Sequence, residues 1–259
     1  ENLPDISDVS TILKTMQSLG AQIRMINKST VEIDPRHVNS FVVSKKMAEG
    51  MRASSYFLGA LLGRMLRARV APPGGCDFGV RPIDQHIKGF EALGAKMTIE
   101  NGMVDAKAMS LTGCLIYLDV VSVGATINIM LAAAKADGLT IIENAAREPH
   151  IVDLANFLNS MGANIMGAGT GVIKIRGVKH LSGADYSIIP DQIEAGTYMA
   201  AAVATRGDIL VTNVTPKHLE SISAKLIEMG CTVIEYDDAV RVKAGDFIRS
   251  AKIKTLPYP

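Results

Sequence analysis

Four times along this chain an amphipathic helical pattern runs into a glycine and a small residue, and two short extended runs follow. The junctions are Leu19-Gly20-Ala21, Leu93-Gly94-Ala95, Met161-Gly162-Ala163 and Met229-Gly230-Cys231. Subtracting the glycine numbers gives spacings of 74, 68 and 68 residues. A repeat of this kind constrains the fold strongly, because each unit must bury its apolar face against its neighbours. Val9, Ile12, Leu13 and Met16 fall at i, i+3, i+4 and i+7, as do Leu154, Phe157, Leu158 and Met161, which is the period of a one-sided helix. The glycine can end each helix in the left-handed conformation. Met97-Thr98-Ile99-Glu100, Asn101-Gly102 and Met103-Val104-Asp105 read as a hairpin closed by a two-residue turn.

A second half-unit alternates with the first. Residues 125–136 and 196–205 are Ala-rich helical runs that end at Gly138 and Gly207. Each is followed by a β-rich run, Leu139-Thr140-Ile141-Ile142 or Asp208-Ile209-Leu210-Val211, and then by Asn144 or Asn213. The whole unit is strand, helix, strand, helix, hairpin, and the fold class is α/β. Buried Ala-rich helices alternating with amphipathic ones argue for units packed around a common helical core rather than a solenoid. Glu1-Asn2 lines up with Glu143-Asn144 and Thr212-Asn213, and residues 253–257 resemble 187–190. Both ends therefore fall inside a unit. The expectation is a piece of a longer protein, with a first domain at 1–189 and the opening of a second at 190–259.

Composition removes several function classes. With 259 residues, 48% of them hydrophobic, the chain can build a sizeable core in one or two domains. A net charge of +1, with no basic stripe, gives no sign of a nucleic-acid partner. Cys76, Cys114 and Cys231 lack metal-ligand spacing, and the last two sit in apolar runs as small core residues, which suits a reducing compartment. The Ala-rich run at 125–136 is too short to span a membrane and carries Asn128 and Lys135.

The remaining feature is Ala71-Pro72-Pro73-Gly74-Gly75-Cys76-Asp77-Phe78-Gly79-Val80-Arg81-Pro82-Ile83-Asp84-Gln85-His86. Its prolines and glycines put Cys76 on a loop. A cation such as Arg81 favours the thiolate, the reactive form of cysteine. On these residues alone, a turn that happens to carry a cysteine is an equal reading.

The string Pro-Gly-Gly-Cys-x-x-Gly-x-Arg-Pro-x-Asp-x-His resembles the catalytic loop of the UDP-N-acetylglucosamine enolpyruvyl transferase family. Met51-Arg52-Ala53-Ser54, Val121-Ser122-Val123-Gly124-Ala125-Thr126, Glu143-Asn144-Ala145-Ala146-Arg147-Glu148-Pro149 and Pro190-Asp191-Gln192-Ile193-Glu194-Ala195-Gly196-Thr197 resemble further motifs of that family, in its order. The resemblance spans essentially the whole chain. It implies the enolpyruvyl transferase fold, an inside-out α/β barrel of repeated βαβαββ units with helices inside and sheets outside. It also implies a cytoplasmic enzyme that moves the enolpyruvyl group of phosphoenolpyruvate to the 3-hydroxyl of UDP-N-acetylglucosamine and releases phosphate, the first committed step of peptidoglycan precursor synthesis. The implied partners are those two small molecules and the remainder of the second domain, with no nucleic acid, membrane, metal or cofactor.

By the same resemblance, Cys76 is the mobile-loop acid that protonates C3 of the enolpyruvate, forms a covalent adduct with it and is alkylated by fosfomycin. Arg52 and Arg81 suit the phosphate and carboxylate of phosphoenolpyruvate. Ser122, Val123 and Gly124, before an Ala-rich helix, suit the UDP diphosphate. Arg81, Pro82, Ile83, Asp84 and Gln85 match the uridine-contacting segment, and His86 is either a contact or a satisfied structural histidine. Glu148, Asp191 and Glu194 match polar positions near the family's interdomain cleft, and helix caps explain them equally well. The chain also departs from the family. Its N-terminal lysine-asparagine pair has no counterpart here, the base for the sugar hydroxyl lies beyond Pro259, and Val120 stands where some relatives carry lysine. Three other readings compete. The 3-phosphoshikimate enolpyruvyl transferases share fold and donor but lack the Pro-Gly-Gly-Cys loop. A non-catalytic repeat or regulatory protein that kept the fold is the second, and a thiol-dependent redox protein is the third.

Overall fold

The computed structural model describes residues 1–48, 51–72 and 82–258. Its contacts divide the chain into two units, Glu1–Ser187 and Ile188–Pro259.

The first unit opens with helix α1 (Ser7–Ser18) and the hairpin β1 (Gln22–Met25) and β2 (Val31–Asp34). A complete βαβαββ unit follows: β3 (Val42–Val43), the short α2 (Lys45–Ala48), a 3-10 turn at Arg52–Ser55, α3 (Tyr56–Met65), β4 (Arg67–Val70), α4 (Asp84–Ala92), β5 (Lys96–Glu100) and β6 (Met103–Lys107). A second complete unit comprises β7 (Leu115–Tyr117), α5 (Val123–Ala133), β8 (Leu139–Glu143), α6 (Pro149–Ser160), β9 (Asn164–Met166) and β10 (Val172–Arg176). The two four-stranded sheets have one topology, β3-β4-β6-β5 and β7-β8-β10-β9. In each, the first pair is parallel and the others antiparallel. The second unit of the chain contains α7 (Gln192–Ala204), β11 (Asp208–Thr212), a 3-10 turn at Pro216–Leu219, α8 (Glu220–Glu228), β12 (Thr232–Glu235) and β13 (Ala239–Lys243), with sheet order β11-β13-β12.

The sheets bury one face only. Along β10, Ile173 and Ile175 are buried while Val172, Lys174 and Arg176 are exposed, the alternation of a half-buried strand. Helices α3 and α5 take the inside. Every α5 residue from Ala125 to Ala133 except Leu131 is buried, so this helix has no polar face. It lies against α3 so closely that a Cβ on Gly59 would sit 2.3 Å from the Asn128 carbonyl oxygen. Asn128 bridges the pair: its Oδ1 accepts from the Gly59 N–H at 2.9 Å, and its Nδ2 donates to the Gly124 carbonyl at 3.0 Å.

The repeat is visible in the backbone. Gly20, Gly94, Gly162 and Gly230 all have φ between 93° and 109°, as a left-handed helix end requires. Asn2, Asn144 and Asn213 share φ of 61°, 56° and 53°. The residue after each asparagine donates the same hairpin-capping bond: Leu3 to Ser29, Ala145 to Gly171 and Val214 to Asp238, at 2.9–3.0 Å. Asn101 and Gly102 both have positive φ, the two-residue turn expected there.

Three details differ from the sequence expectation. Helix α5 starts at Val123 and stops at Ala133, because Lys135 and Ala136 tighten into bonds to Ala132 and Ala133. Helix α7 starts at Gln192 rather than 196, since Asp191 caps it. At its far end Arg206, not Gly207, takes the left-handed conformation with φ 55°. The cost to a non-glycine there, about 1–2 kcal/mol, is offset by the Gly207 N–H bond to Ala202 at 2.7 Å and the Arg206 guanidinium bond to the Asp246 carbonyl.

Candidate active site

The densest group of sequence-nominated residues lies where α4 meets the start of α5. Ser122 is the N-cap of α5, in extended conformation, and its Oγ accepts from the Ala125 N–H at 3.3 Å. Val123 and Gly124 form the first helical positions, where backbone N–H groups have no intrahelical acceptor and the helix dipole favours an anion. Gly124 lies close under the His86 ring: a Cβ there would sit 2.9 Å from its Nε2, so a larger residue would displace the ring.

His86, in the first turn of α4, is 8% exposed. Its Nδ1 is buried with no hydrogen-bond partner among the described residues. Burial pushes its pKa below the usual histidine value, partly opposed by the carboxylate of Asp84, so the ring that faces Gly124 is neutral at physiological pH. Asp84 is exposed at the head of α4 and its carboxyl pKa is lowered, first of all by the hydrogen bond from Gln85. Pro82 is exposed and Ile83 packs against the core. Gln85 is buried, with 6% exposure. Its Nε2 donates to Asp84 Oδ2 at 2.9 Å and to Asp119 Oδ2 at 3.1 Å, and its Oε1 accepts from the Asp119 N–H at 2.9 Å. Lys88 Nζ donates to Asp119 Oδ1 at 2.7 Å. The turn between β7 and α5 is held on its other side by Asn144, whose Nδ2 donates to the Leu118 carbonyl at 2.8 Å.

The other nominated residues are dispersed. Arg52 is exposed at the start of the 3-10 turn before α3. Glu148 is the N-cap residue of α6, yet its side chain makes no capping bond, and its Oε2 is buried without a partner among the described residues. Asp191 and Glu194 belong to the second unit; Asp191 Oδ1 caps α7 by accepting from the Ile193 and Glu194 N–H groups at 2.7 and 3.4 Å. Cys76 and Arg81 lie outside the described residues. Cys114 is half-buried and its Sγ donates to the Ala92 carbonyl at 3.2 Å, and Cys231 is buried. None of the described helices is long and apolar enough to cross a membrane.

Sequence reasoning missed Asp119 and Lys88. The one available signal was Lys88 at i+4 from Asp84, which reads as an intrahelical pair; the lysine bonds to the turn instead.

Comparison with known proteins places these features in a family. The family model described as EPSP synthase (3-phosphoshikimate 1-carboxyvinyltransferase) matches residues 1–259. Over 259 residues the chain is 59% identical to UDP-N-acetylglucosamine 1-carboxyvinyltransferase 3 of Caldanaerobacter subterraneus subsp. tengcongensis, and 58% identical to UDP-N-acetylglucosamine 1-carboxyvinyltransferase of Clostridium botulinum. In both cases all of this chain and 62% of the relative is covered, so the chain spans under two thirds of the curated relatives it matches. Among solved structures, the enolpyruvyl transferase NikO from Streptomyces tendae superposes with a TM-score of 0.81 at 24% identity, covering 95% of this chain and 59% of that one. EPSP synthase from Acinetobacter baumannii gives 0.66 at 19% identity, covering 91% and 56%. These structural likenesses bear on the fold, an α/β enolpyruvyl transferase fold.

Proposed function

Because the chain belongs to the EPSP synthase (3-phosphoshikimate 1-carboxyvinyltransferase) family, we propose that it serves the transfer of an enolpyruvyl group from phosphoenolpyruvate to the 3-hydroxyl of UDP-N-acetylglucosamine, with release of phosphate. The observation that carries this reading is the convergence of α4 and α5: an anion-attracting helix start, Val123 and Gly124, lies against the neutral His86 ring, and α4 begins at Asp84, shortly after Cys76 in the sequence. The choice of acceptor is supported by the names of relatives that are 59% and 58% identical across the chain and by the Pro-Gly-Gly-Cys sequence.

The chemistry assigns the groups. C3 of the enolpyruvate gains a proton from the Cys76 thiol while the sugar 3-hydroxyl oxygen bonds to C2 and its proton passes to a base. The ketal then returns a C3 proton to the Cys76 thiolate as the C2–O bond to phosphate breaks. In the covalent adduct the Cys76 thiol adds across the C2=C3 double bond of phosphoenolpyruvate, its proton going to C3 and its sulfur to C2. Arg52 and Arg81 hold the donor's phosphate and carboxylate, and the first amides of α5 hold the diphosphate. Pro82, Ile83 and Asp84 flank the uridine, and Glu148, Asp191 and Glu194 supply polar contacts. The domain reading is 1–189 as the first domain and 190–259 as the start of a second, in a cytoplasmic enzyme of peptidoglycan precursor synthesis.

The test is phosphate release from phosphoenolpyruvate by protein from the complete reading frame, beside its Cys76→Ala variant. Release that needs UDP-N-acetylglucosamine and disappears in the variant is the expected result. Release with shikimate 3-phosphate instead would transfer the assignment to the other branch of the family.

A further inference from the structure

Gln85 falls in the segment that resembles a uridine-contacting run, yet its side chain has little left to give a ligand. A primary amide offers two donors and one acceptor oxygen. Here both donors reach carboxylates, Asp84 and Asp119, and the oxygen takes the Asp119 backbone N–H. The orientation of the amide is fixed by these partners, since the oxygen must face the N–H and the nitrogen the two carboxylates. With 6% exposure the group is buried among them.

What Gln85 grips is the turn that launches α5. Asp119 lies three residues before the N-cap Ser122. Its carboxylate also takes Lys88, so two side chains of α4 fix this turn from one side while Asn144 fixes Leu118 from the other. Helix α4 thus sets where the first amides of α5 point, and the contact of His86 with Gly124 adds a second bearing point on the same helix start.

We propose that Gln85 is a positioning residue that acts through Asp119 on the N-terminus of α5, and so controls affinity for the nucleoside diphosphate of the sugar substrate without touching it. This rests on the reading that the first turn of α5 holds the diphosphate. It requires that loss of the amide raise KM for the nucleotide sugar and leave the chemical step alone. The size follows from hydrogen bonds to charged groups in a buried setting, roughly a tenfold change in binding.

The experiment uses the full-length enzyme with Gln85→Leu, Asp119→Ala and the double variant, each checked for thermal unfolding, with kcat and both KM values measured by phosphate release. Asp119 is exposed on a turn, its side chain 60% accessible, so its variant gives a reading even where Gln85→Leu fails to fold. The expected result is a rise of about tenfold in KM for UDP-N-acetylglucosamine in Gln85→Leu and a smaller rise in Asp119→Ala, with kcat and KM for phosphoenolpyruvate within about twofold of wild type. The double variant is no worse than Gln85→Leu, because the two residues act in one chain. Asp119→Asn, which keeps an acceptor for Gln85 and the same backbone N–H, restores near-normal KM. A Gln85→Leu defect that adds in full to that of Asp119→Ala, or Asp119→Ala behaving as wild type, means direct contact and overturns the proposal. So does a fall in kcat with KM unchanged. Wild-type enzyme with no nucleotide-sugar-dependent release overturns the functional reading, and this proposal with it.

Discussion

Replacing Gly59 by alanine tests the close approach of α3 to α5. The added Cβ would lie 2.3 Å from the Asn128 carbonyl oxygen and 2.9 Å from the Asn128 carbonyl carbon and Cα, roughly 1 Å inside an ordinary contact. Backbone atoms of a buried helix cannot swing aside as a side-chain tip can. The helices must separate, and the Gly59 N–H bond to Asn128 Oδ1, now 2.9 Å, is stretched with them. Overpacking costs about 1–3 kcal/mol and the weakened bond about 1 kcal/mol. Alanine's better helix propensity returns up to about 1 kcal/mol. The net loss is roughly 1–3 kcal/mol, a fall in Tm of about 5 °C for a unit of this size. Gly63→Ala meets its nearest atom, the Leu131 carbonyl oxygen, at 2.9 Å and should lose less. Thermal unfolding followed by circular dichroism measures both. A Gly59→Ala protein that melts at or above wild type, by the margin propensity alone provides, would refute the argument.

Thr126→Val removes a hydroxyl that accepts from the buried Ala146 N–H at 3.1 Å and donates to the Ser122 carbonyl at 2.8 Å; urea unfolding should show a loss of about 1–3 kcal/mol from the orphaned amide. His86 has a folded pKa below its ordinary 6.5 because of burial. The unfolded chain therefore binds the proton first, and stability falls as pH drops below about 6.5. Urea midpoints at pH 7.5 and 5.5 should separate more in wild type than in His86→Gln, and equal separations would count against the buried neutral ring. Burial likewise raises the Cys114 thiol pKa, and Cys231 is buried in the core; peptide mapping after brief alkylation of native protein at pH 7.5 should find both largely unmodified, and rapid labelling of either contradicts its placement.

The parts of this structure that are legible in the sequence are those decided within a few residues. Gly20, Gly94, Gly162 and Gly230 each end a helix in the left-handed region, and Asn101-Gly102 closes its hairpin, because those geometries are set by local sterics. The alignment of Asn2, Asn144 and Asn213 needs only the repeat. Arg206 escapes such reasoning because a distant carbonyl at Asp246 helps hold it. The candidate site divides in the same way. Ser122 as a cap and Gly124 at a helix start are local features. The role of Gln85 depends on Asp119, 34 residues away, and that of Gly59 on Asn128, 69 residues away. Nothing near Gln85 in the chain distinguishes a side chain that meets a ligand from one whose polar atoms are already taken.

Helix α5 has a consequence for how the protein is made. It is buried around its whole circumference from Ala125 to Ala133, Leu131 apart, and part of its cover comes from β10, which ends at Arg176. A ribosome adding about 5–20 residues per second needs roughly 2 to 9 s to cover the distance from the end of α5 to the end of β10. During that interval the nascent chain carries an apolar segment part of whose cover has not yet been synthesised. Such a segment is a natural target for chaperones and for wrong partners.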